Sequence, residues 1–328
     1  MGALAPSVAA VRVAVRRALS QVHVPGGLVL VACSGGADSL ALAAATAFVA
    51  PRLDLRAGLV TVDHRLQPGS GERAAEVAAW ARDTGFRPVD VVVVDVAGRP
   101  GGPEAAARAA RYAALADAAR RHEAVAVLVG HTKDDQAETV LLALARGAGP
   151  RGLAGMPARG SIDGVPLLRP LLRVSRAQTH EACAVLGLQP WQDPHNTDPA
   201  YLRARVRSAV LPAMVAALGP DVVDNLARTA ELLAADTAVL DALAAQAAPA
   251  TRNPDGSLRV SALAELPAAV RTRILHAWAR ELGAPGGALA HRHVTALDAL
   301  VVAWRGQGPV HLPGGIRVAR RGESLTRV

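Results

Sequence analysis

A six-residue stretch, SGGADS from Ser34 to Ser39, joins two hydroxyls, two glycines and a carboxylate where an apolar run over 28–32 gives way to an apolar helical pattern over 38–49. Ligands of open parallel sheets bind beyond the carboxyl ends of the strands, where the next helix adds the positive end of its dipole. Glycines let backbone N–H groups approach an anion closely. The Walker A lysine and the GxGxxG dinucleotide pattern are both missing. The stretch therefore predicts a loop that grips a pyrophosphate group, with Asp38 as its acid.

Three more polar residues follow predicted strands. Asp63 and His64 follow the run 55–62, and His131 follows the run 124–129. Because the carboxyl ends of parallel strands meet at one edge of a sheet, we expect all three beside the phosphate loop. A histidine at a strand end also suits a purely structural role, so both interpretations of His131 stay open.

Asp134, Asp135 and Glu138 lie at the start of a helix predicted over 134–145, with Asp134 and Glu138 four residues apart on one face. Acids at this position often serve only as helix caps. Beside a loop that grips a pyrophosphate group they predict instead a site for Mg²⁺ or for a substrate amine.

The elements that position these residues alternate between strand and helix. Val-rich apolar runs over 28–32, 55–62, 88–96 and 124–129 are separated by helical patterns over 38–49, 72–83, 103–122 and 134–145. Near-continuously apolar strands, each followed by a helix, predict an α/β fold with a parallel sheet covered on both faces. The stretch 146–160 is rich in Gly and Pro and is predicted to be a long loop.

The texture changes after Pro212. The segment from 221 to about 305 is rich in Ala and Leu at helical spacing and shows no strand pattern, and the tail 309–328 alternates around Pro313 like a hairpin. We therefore expect a catalytic domain over 1–218 and a smaller helical domain over 219–328 that ends in a β-hairpin. The second domain carries no acid–base or phosphate pattern, which predicts that it positions a substrate.

Composition limits the class of protein. The chain has 328 residues, 51% of them apolar, and a net charge of +8. That charge points towards a polyanionic partner, but charge alone suits a generally basic soluble protein equally well. The two cysteines, Cys33 and Cys183, exclude a disulfide framework, a CxxC redox pair and a Cys-rich zinc site.

The amino-terminal segment does not resemble a signal peptide, because Arg12, Arg16 and Arg17 interrupt its apolar pattern. We expect an amphipathic first helix capped near Ser7. No apolar run reaches the length that spans a bilayer. A cytoplasmic protein is therefore expected.

The loop SGGADS resembles the SGGxDS signature of the N-type ATP pyrophosphatases, or PP-loop enzymes. A longer set of motifs resembles the tRNA(Ile)-lysidine synthase family and covers roughly residues 28 to 212. These motifs are VDHRLQPGS (62–70), EAAARAARY (104–112), GHTKDDQAETVLLALARGAGPRGLAGM (130–156), RPLL (169–172) and WQDPHNTDPAYLRARVR (191–207).

The resemblance implies a PP-loop fold and an ATP-dependent ligase. The implied reaction joins L-lysine to C2 of the wobble cytidine of tRNA(Ile) with a CAU anticodon, through an adenylated cytidine, so that the tRNA reads AUA as isoleucine. ATP and Mg²⁺ take part, and AMP and pyrophosphate are released. No membrane or protein partner is expected.

The site residues are predicted in groups. The expected catalytic residues are Asp38, His131, Asp135 and Glu138. ATP is expected at Ser34, Gly35, Gly36, Ala37, Asp38, Ser39, Asp63 and His64; Mg²⁺ at Asp38 and Asp134; and lysine at Arg108, Arg111, Asp135 and Glu138. Basic clusters in the chain predict tRNA phosphate contacts at Arg203, Arg205, Arg207, Arg317 and Arg320.

Three positions depart from the family pattern: Gln67 replaces an Arg, His195 a Ser, and Ala204 an Asn. Two alternatives remain open. A tRNA-thiolating PP-loop enzyme shares the loop and the basic charge but commonly carries sulfur on cysteines. A non-catalytic nucleotide- or RNA-binding module does not need the strand-end acids.

Overall fold

A computed structural model describes residues 4–22, 24–65, 69–95, 103–191 and 201–328. The chain divides into two compact units. The first comprises Met1–Ala145 and Gly155–Ala230, and the second comprises Arg146–Ala154 and Glu231–Val328. The predicted boundary after residue 218 stays a prediction.

The first unit is built on a six-stranded sheet in the order β3-β2-β1-β4-β6-β5. All neighbouring strands are parallel except β5, which runs antiparallel to β6. The strands are β1 Leu28–Ala32, β2 Arg56–Asp63, β3 Val89–Val93, β4 Ala126–Val129, β5 Arg159–Ile162 and β6 Val165–Leu168.

Central strand β1 shows why the sheet is covered on both faces. Successive side chains of a strand point to opposite faces. Val29 and Val31 accordingly belong to one hydrophobic core, and Leu28 and Leu30 belong to another. All four side chains are at most 2% exposed. The predicted two-faced parallel α/β fold is therefore confirmed.

Helices cover the two faces and the connections between the strands. They are α1 Pro6–Leu19, α2 Ala37–Val49, α3 Ser70–Asp83, α4 Pro103–Arg121, α5 Lys133–Ala145 and α7 Arg176–Val185. A further helical run comprises α8 Leu202–Arg205, the π-helical turn Val206–Val210 and α9 Leu211–Leu218. It is followed by α10 Val222–Ala247, which continues into the second unit.

The second unit packs helices against a four-stranded antiparallel sheet in the order β7-β10-β9-β8. Its remaining elements are α6 Pro150–Leu153, β7 Leu258–Arg259, α11 Val260–Ala264, α12 Ala268–Glu281, α13 His291–Val302, β8 Val310–Leu312, β9 Ile316–Arg321 and β10 Ser324–Arg327. Trp278 anchors its core at 2% exposure, and its indole N–H donates to the Gly256 carbonyl oxygen at 3.0 Å. The predicted helical domain with a terminal hairpin is confirmed, with β8 and β9 as the hairpin.

Several local predictions are corrected. The stretch 146–160 is not one long loop, because Pro150 begins the short helix α6 and β5 begins at Arg159. The segment predicted to be free of strands contains β7. Helix α1 begins at Pro6 without a side-chain cap, so Ser7 lies inside it and is buried. Proline suits this first position because its missing N–H would have no helical partner there.

Among the described residues, no single helix is both long and apolar enough to cross a membrane. The segments Leu202–Leu218 and Val222–Thr251 pass that test of length and composition only as a pair, and they are bent by 101° at their junction.

Candidate active site

A cavity of about 970 Å³ opens in the first unit where β1, β2 and β4 end. Its walls come from the loop after β1, the ends of β2 and β4, and helices α4, α5 and α7. Of the predicted site residues, Ser34, Gly36, Ala37, Asp38, Ser39, Asp63, His64, Arg111, His131, Asp135 and Arg207 line it. The convergence expected from a parallel sheet is therefore present.

The loop after β1 is closed by its own serine. The Ser39 hydroxyl donates to the Gly36 carbonyl oxygen at 2.9 Å and accepts the Ser34 backbone N–H at 3.2 Å. Gly35 has a φ of +84°, and a Cβ there would lie 2.9 Å from Val77 Cγ2, so only glycine fits. Helix α2 begins directly afterwards, at Ala37. The first N–H groups of a helix have no partner within it, so this turn presents donors to an anion.

Asp38 lies in the first turn of α2 and lines the cavity. Its Oδ1 accepts a hydrogen bond from the Thr179 hydroxyl, and its Oδ2 lies 3.9 Å from Arg176 Nε. Burial raises the pKa of Asp38, the charge of Asp135 adds to that effect, and Thr179 and Arg176 only partly offset it. Asp38 is thus an acid held by its neighbours but still open to a ligand.

Asp63 ends β2 with its side chain turned back onto the chain. It accepts the Arg65 backbone N–H at 2.9 Å and is 6% exposed. Burial acts to raise its pKa, but hydrogen bonds from Ser70 and Arg65 outweigh burial and lower it. The neighbouring His64 lines the same wall of the cavity.

Asp135 and Glu138 form a buried cluster with two arginines. Arg176 Nη2 lies 3.1 Å from Asp135 Oδ1 and 3.2 Å from Glu138 Oε1. Arg207 donates from Nε to Glu138 Oε1 at 2.7 Å and from Nη2 to Glu138 Oε2 and Asp135 Oδ1, both at 3.2 Å. We call these four residues the acid–arginine cluster. Its two carboxylates and two guanidiniums balance in charge.

The pKa of Asp135 reflects this pairing. Burial alone would raise it, but Arg176, the Thr132 backbone N–H at 2.8 Å, His131 and Arg207 together lower it. Asp135 is therefore a stable carboxylate, although its side chain is only 11% exposed. Glu138 lies behind it with no exposed side-chain surface.

Two of the predicted tRNA contacts already bind partners inside the protein. The Arg207 guanidinium donates hydrogen bonds within the acid–arginine cluster, although its side chain is 27% exposed. Arg320 donates to the carbonyl oxygens of Leu300 at 3.2 Å and Val301 at 3.3 Å, and it pairs with Glu323 at 3.1 Å. Both side chains support the protein's own structure.

The other three predicted contacts differ from one another. Arg203 Nη2 donates to Thr139 Oγ1 at 3.2 Å. Arg205 and Arg317 are exposed, and neither has an acidic partner in the part of the chain that the structure describes. Of the five predicted contacts, Arg205 and Arg317 are therefore the two that are best placed to contact a polyanion.

His131 and Arg111 also line the cavity. Burial lowers the pKa of His131 to about 3, although Asp135 acts to raise it, so the imidazole is neutral at neutral pH. Within the described residues its buried Nδ1 has no hydrogen-bond partner. His131 can therefore support a transition state as a dipole but not as a cation.

The two arginines predicted to bind lysine differ in their access to the cavity. Arg111 lines the cavity, whereas Arg108 does not. The Arg108 and Arg111 guanidiniums lie 4.7 and 6.0 Å from the centre of the Tyr112 ring, and neither pairs with an acid among the residues described. Burial and the charges of Arg108 and Arg203 lower the pKa of Arg111, while Tyr112 acts to raise it. Arg111 is thus a cation at the wall of the cavity that has no acidic partner among the described residues.

The two predicted Mg²⁺ ligands differ in how well they suit the ion. Mg²⁺ bound with a nucleotide takes one or two carboxylates, with phosphates and water as its other ligands. Asp38 fits, since it lines the cavity and its Oδ2 lies as far as 3.9 Å from Arg176 Nε. Asp134 does not fit, because its Oδ2 accepts the Arg176 backbone N–H at 2.7 Å and it does not line the cavity. Within the described ranges, no group of three or more metal-binding side chains occurs.

Helix α7 supplies site residues that the sequence interpretation missed. Arg176 and His180 line the cavity, together with Trp191 after the helix. Arg176, Thr179, His180 and Cys183 follow the spacing i, i+3, i+4, i+7, which places them on one helix face. That spacing of polar residues along one helix face is the feature of the sequence from which these site residues could have been predicted. Of the departures from the family pattern, Ala204 is buried in α8, whereas Gln67 and His195 lie outside the described residues.

Both cysteines are buried beside the loop. Cys33 Sγ lies 3.6 Å from Ser39 Oγ, and Cys183 Sγ donates to the Ala37 carbonyl oxygen at 3.3 Å. Burial raises the pKa of Cys33, and burial together with the charge of Asp38 raises that of Cys183 to about 11. Neither is a reactive thiolate, which counts against sulfur transfer.

Comparison with known proteins places the chain in a family. Residues 11–214 match the family described as PP-loop domain, and residues 258–326 match the TilS substrate binding domain. The tRNA(Ile)-lysidine synthase of Salinispora tropica is 69% identical over 100% of this chain and 98% of its own length. That of Thermobifida fusca is 58% identical over 97% and 95%.

A solved structure supports the fold alone. The U34-tRNA thiolase NcsA from Methanococcus maripaludis, determined with its [4Fe-4S] cluster, matches with a TM-score of 0.57 at 19% identity. The match covers 69% of this chain and 78% of that one. With an SGGADS loop at the edge of a parallel sheet and relatives alike over their whole length, the chain belongs to the tRNA(Ile)-lysidine synthase family.

Proposed function

We propose that the chain joins L-lysine to C2 of the wobble cytidine of tRNA(Ile) with a CAU anticodon. The reaction uses ATP, passes through an adenylated cytidine and releases AMP and pyrophosphate. One observation carries the proposal: residues of the SGGADS loop and three members of the acid–arginine cluster, Asp135, Arg176 and Arg207, line a single cavity, in a chain whose relatives carry this name. A tRNA substrate supports a cytoplasmic location.

The loop is suited to hold the β- and γ-phosphates as one leaving group. It offers serine hydroxyls, glycine backbone and the start of α2. It has no lysine that would favour cleavage between the β- and γ-phosphates. Asp38 would hold Mg²⁺, which when bound neutralises charge on the phosphates. Asp63 and His64 are suited to the nucleotide at the neighbouring strand end.

Adenylation solves a problem of leaving groups. Cytosine O2 leaves poorly as an oxide, whereas AMP leaves readily, so the lysine ε-amine can attack C2 once the oxygen carries AMP. The amine must be neutral to attack, and its last proton must pass to a base.

The acid–arginine cluster bears on how lysine binds. Because Asp135 and Glu138 are already paired with Arg176 and Arg207, an entering ammonium group finds no uncompensated carboxylate within that cluster. A charge-balanced cluster adds no attraction for a positive charge, so this part of the cavity favours the neutral, nucleophilic amine. Arg111, which has no acidic partner among the described residues, is suited to the α-carboxylate of lysine. His131 contributes a neutral hydrogen-bonding group beside it.

The second unit is proposed to position the tRNA. It contains the TilS substrate binding domain match and the exposed Arg317, and the first unit contributes the exposed Arg205. We propose the functional division at residues 1–218 for catalysis and 219–328 for positioning.

The test is a product analysis. Purified protein is incubated with ATP, L-lysine and a tRNA(Ile) transcript bearing CAU, and the digested nucleosides are examined by mass spectrometry. Lysidine at the wobble position, with AMP and pyrophosphate in equal amounts, is expected. The matched control is the same transcript with uridine at that position, which should stay unmodified. ADP with phosphate, a sulfur-containing nucleoside, or no modification would each contradict the proposal.

A further inference from the structure

The polar face of α7 lies against the start of α2. Cys183 donates to the Ala37 carbonyl oxygen at 3.3 Å, and Arg176 Nε lies 3.9 Å from Asp38 Oδ2. Between them in the helix, Thr179 bonds to Asp38 Oδ1. Three side chains of one helix face thus fix the turn that carries the acid of the phosphate loop.

Thr179 is well placed for this bond because its side chain is shielded from solvent. Its side chain is fully buried at 0% exposure, and it does not line the cavity. Its hydroxyl also lies 2.8 Å from the Arg176 carbonyl oxygen, but it has one hydrogen to give. A carboxylate is the stronger acceptor, so the hydrogen bond to Asp38 is the favoured one.

The position of Thr179 is set from outside the loop. Ser175 and Gln178 form a reciprocal cap at the start of α7, with the Ser175 N–H donating to Gln178 Oε1 at 2.9 Å. The Arg176 N–H donates to Asp134 Oδ2 at 2.7 Å, which ties this turn to α5. Asp134 therefore helps to hold the start of α7 in place.

We propose that Thr179 is a positioning residue for ATP cleavage: it holds Oδ1 of Asp38 so that Oδ2 stays directed into the cavity beside the phosphate loop. It touches no substrate and acts only through Asp38. The inference deepens the proposed function and depends on it only for the role of Asp38.

The test uses a matched set of threonine variants in the full chain. Thr179→Val keeps the shape of the side chain but replaces the hydroxyl with a methyl group, and Thr179→Ser keeps the hydroxyl. Thr179→Ala removes the hydroxyl without placing a methyl group against Asp38. The control is Thr46→Val in α2. Thr46 is also 0% exposed, but within the described part of the chain its hydroxyl bonds only to the Leu42 carbonyl oxygen of its own helix, at 2.8 Å. Release of AMP in the presence of the tRNA(Ile) transcript and lysine gives kcat and the KM for ATP.

A misplaced catalytic group costs up to about 100-fold in rate, so we expect Thr179→Val and Thr179→Ala to lower kcat roughly 10- to 100-fold with little change in KM. Thr179→Ser should recover most of the loss, and Thr46→Val should keep the parental kcat. An unchanged kcat in both hydroxyl-free variants would overturn the inference, as would an equal loss in Thr179→Ser or in Thr46→Val. If the parent releases AMP without forming lysidine, the proposed product is wrong while the Thr179 comparison still stands.

Discussion

Replacing Arg207 by alanine should loosen α5, because Arg207 is the main counter-ion of a carboxylate without access to solvent. The Glu138 side chain is 0% exposed and accepts hydrogen bonds from Arg207 at 2.7 and 3.2 Å and from Arg176 at 3.2 Å. Breaking a buried ion pair costs about 3–5 kcal/mol. Since Arg176 stays in place and the Arg207 side chain is 27% exposed, we expect a smaller loss of roughly 2–3 kcal/mol.

Native-state hydrogen exchange measures this loss locally. Amides of α5, Lys133–Ala145, should exchange roughly 30- to 150-fold faster, at about 1.4 kcal/mol per factor of ten. Peptides from α12, Ala268–Glu281, belong to the other unit and should be unchanged. Adding Glu138→Gln should recover part of the loss, because it removes the uncompensated charge.

Arg205→Ala is the matched control, since that arginine is exposed and has no acidic partner among the described residues. Its α5 exchange should equal that of the parent. If Arg207→Ala leaves α5 exchange unchanged and instead flattens the salt dependence of tRNA binding, the argument from the cluster fails. The phosphate contact predicted from the sequence would then be correct.

Three further predictions concern charge. Asp38→Asn should abolish AMP formation but raise the unfolding temperature at pH 7. Burial raises the Asp38 pKa, so the free energy of unfolding falls as pH rises from the unfolded pKa of about 3.9 to the raised folded value. The uncharged amide of asparagine does not carry this penalty at pH 7. An unfolding temperature below that of the parent would contradict this. The log–log salt slope of tRNA binding should flatten by about 0.7–0.9 in Arg205→Ala and in Arg317→Ala, and unchanged slopes would remove both from the interface. Cys33 and Cys183 should resist iodoacetamide at pH 8 until the chain unfolds, since burial raises both pKa values; rapid labelling of the native protein would reopen the thiolation alternative.

The sequence predicted the fold well because its strands, turns and helices depend mostly on residues that are neighbours in the chain. The alternation of Val and Leu in β1 and the SGGADS turn each follow from neighbouring residues, and the structure begins α2 at Ala37, one residue before the predicted start. Helix α6 was missed because Pro and Gly in 146–160 indicate a break, although Pro150 is well suited to a first helical position.

The partners of charged residues were beyond local pattern. Arg207 and Glu138 are 69 positions apart, so the sequence shows two charges without showing that they meet. The basic run that contains Arg203 and Arg207 therefore resembled a phosphate-binding surface. At the spacing i, i+4 both residues lie on one helix face, and that face turns out to bond to Thr139 and Glu138 of α5.

The division into two units has a consequence for any attempt to separate them. The polypeptide passes from one unit to the other three times, after Ala145, after Ala154 and after Ala230. One cut near Gly219 therefore yields no complete second unit, because the excursion Arg146–Ala154 remains with the first fragment. Within the second unit, Asp241 would lose Arg151, now 2.5 Å away, and keep only Arg273 at 2.8 Å. We therefore expect each of the two fragments made by a cut at Gly219 to be less stable than the same residues are in the intact chain. An independently folding first unit requires a short linker in place of the excursion.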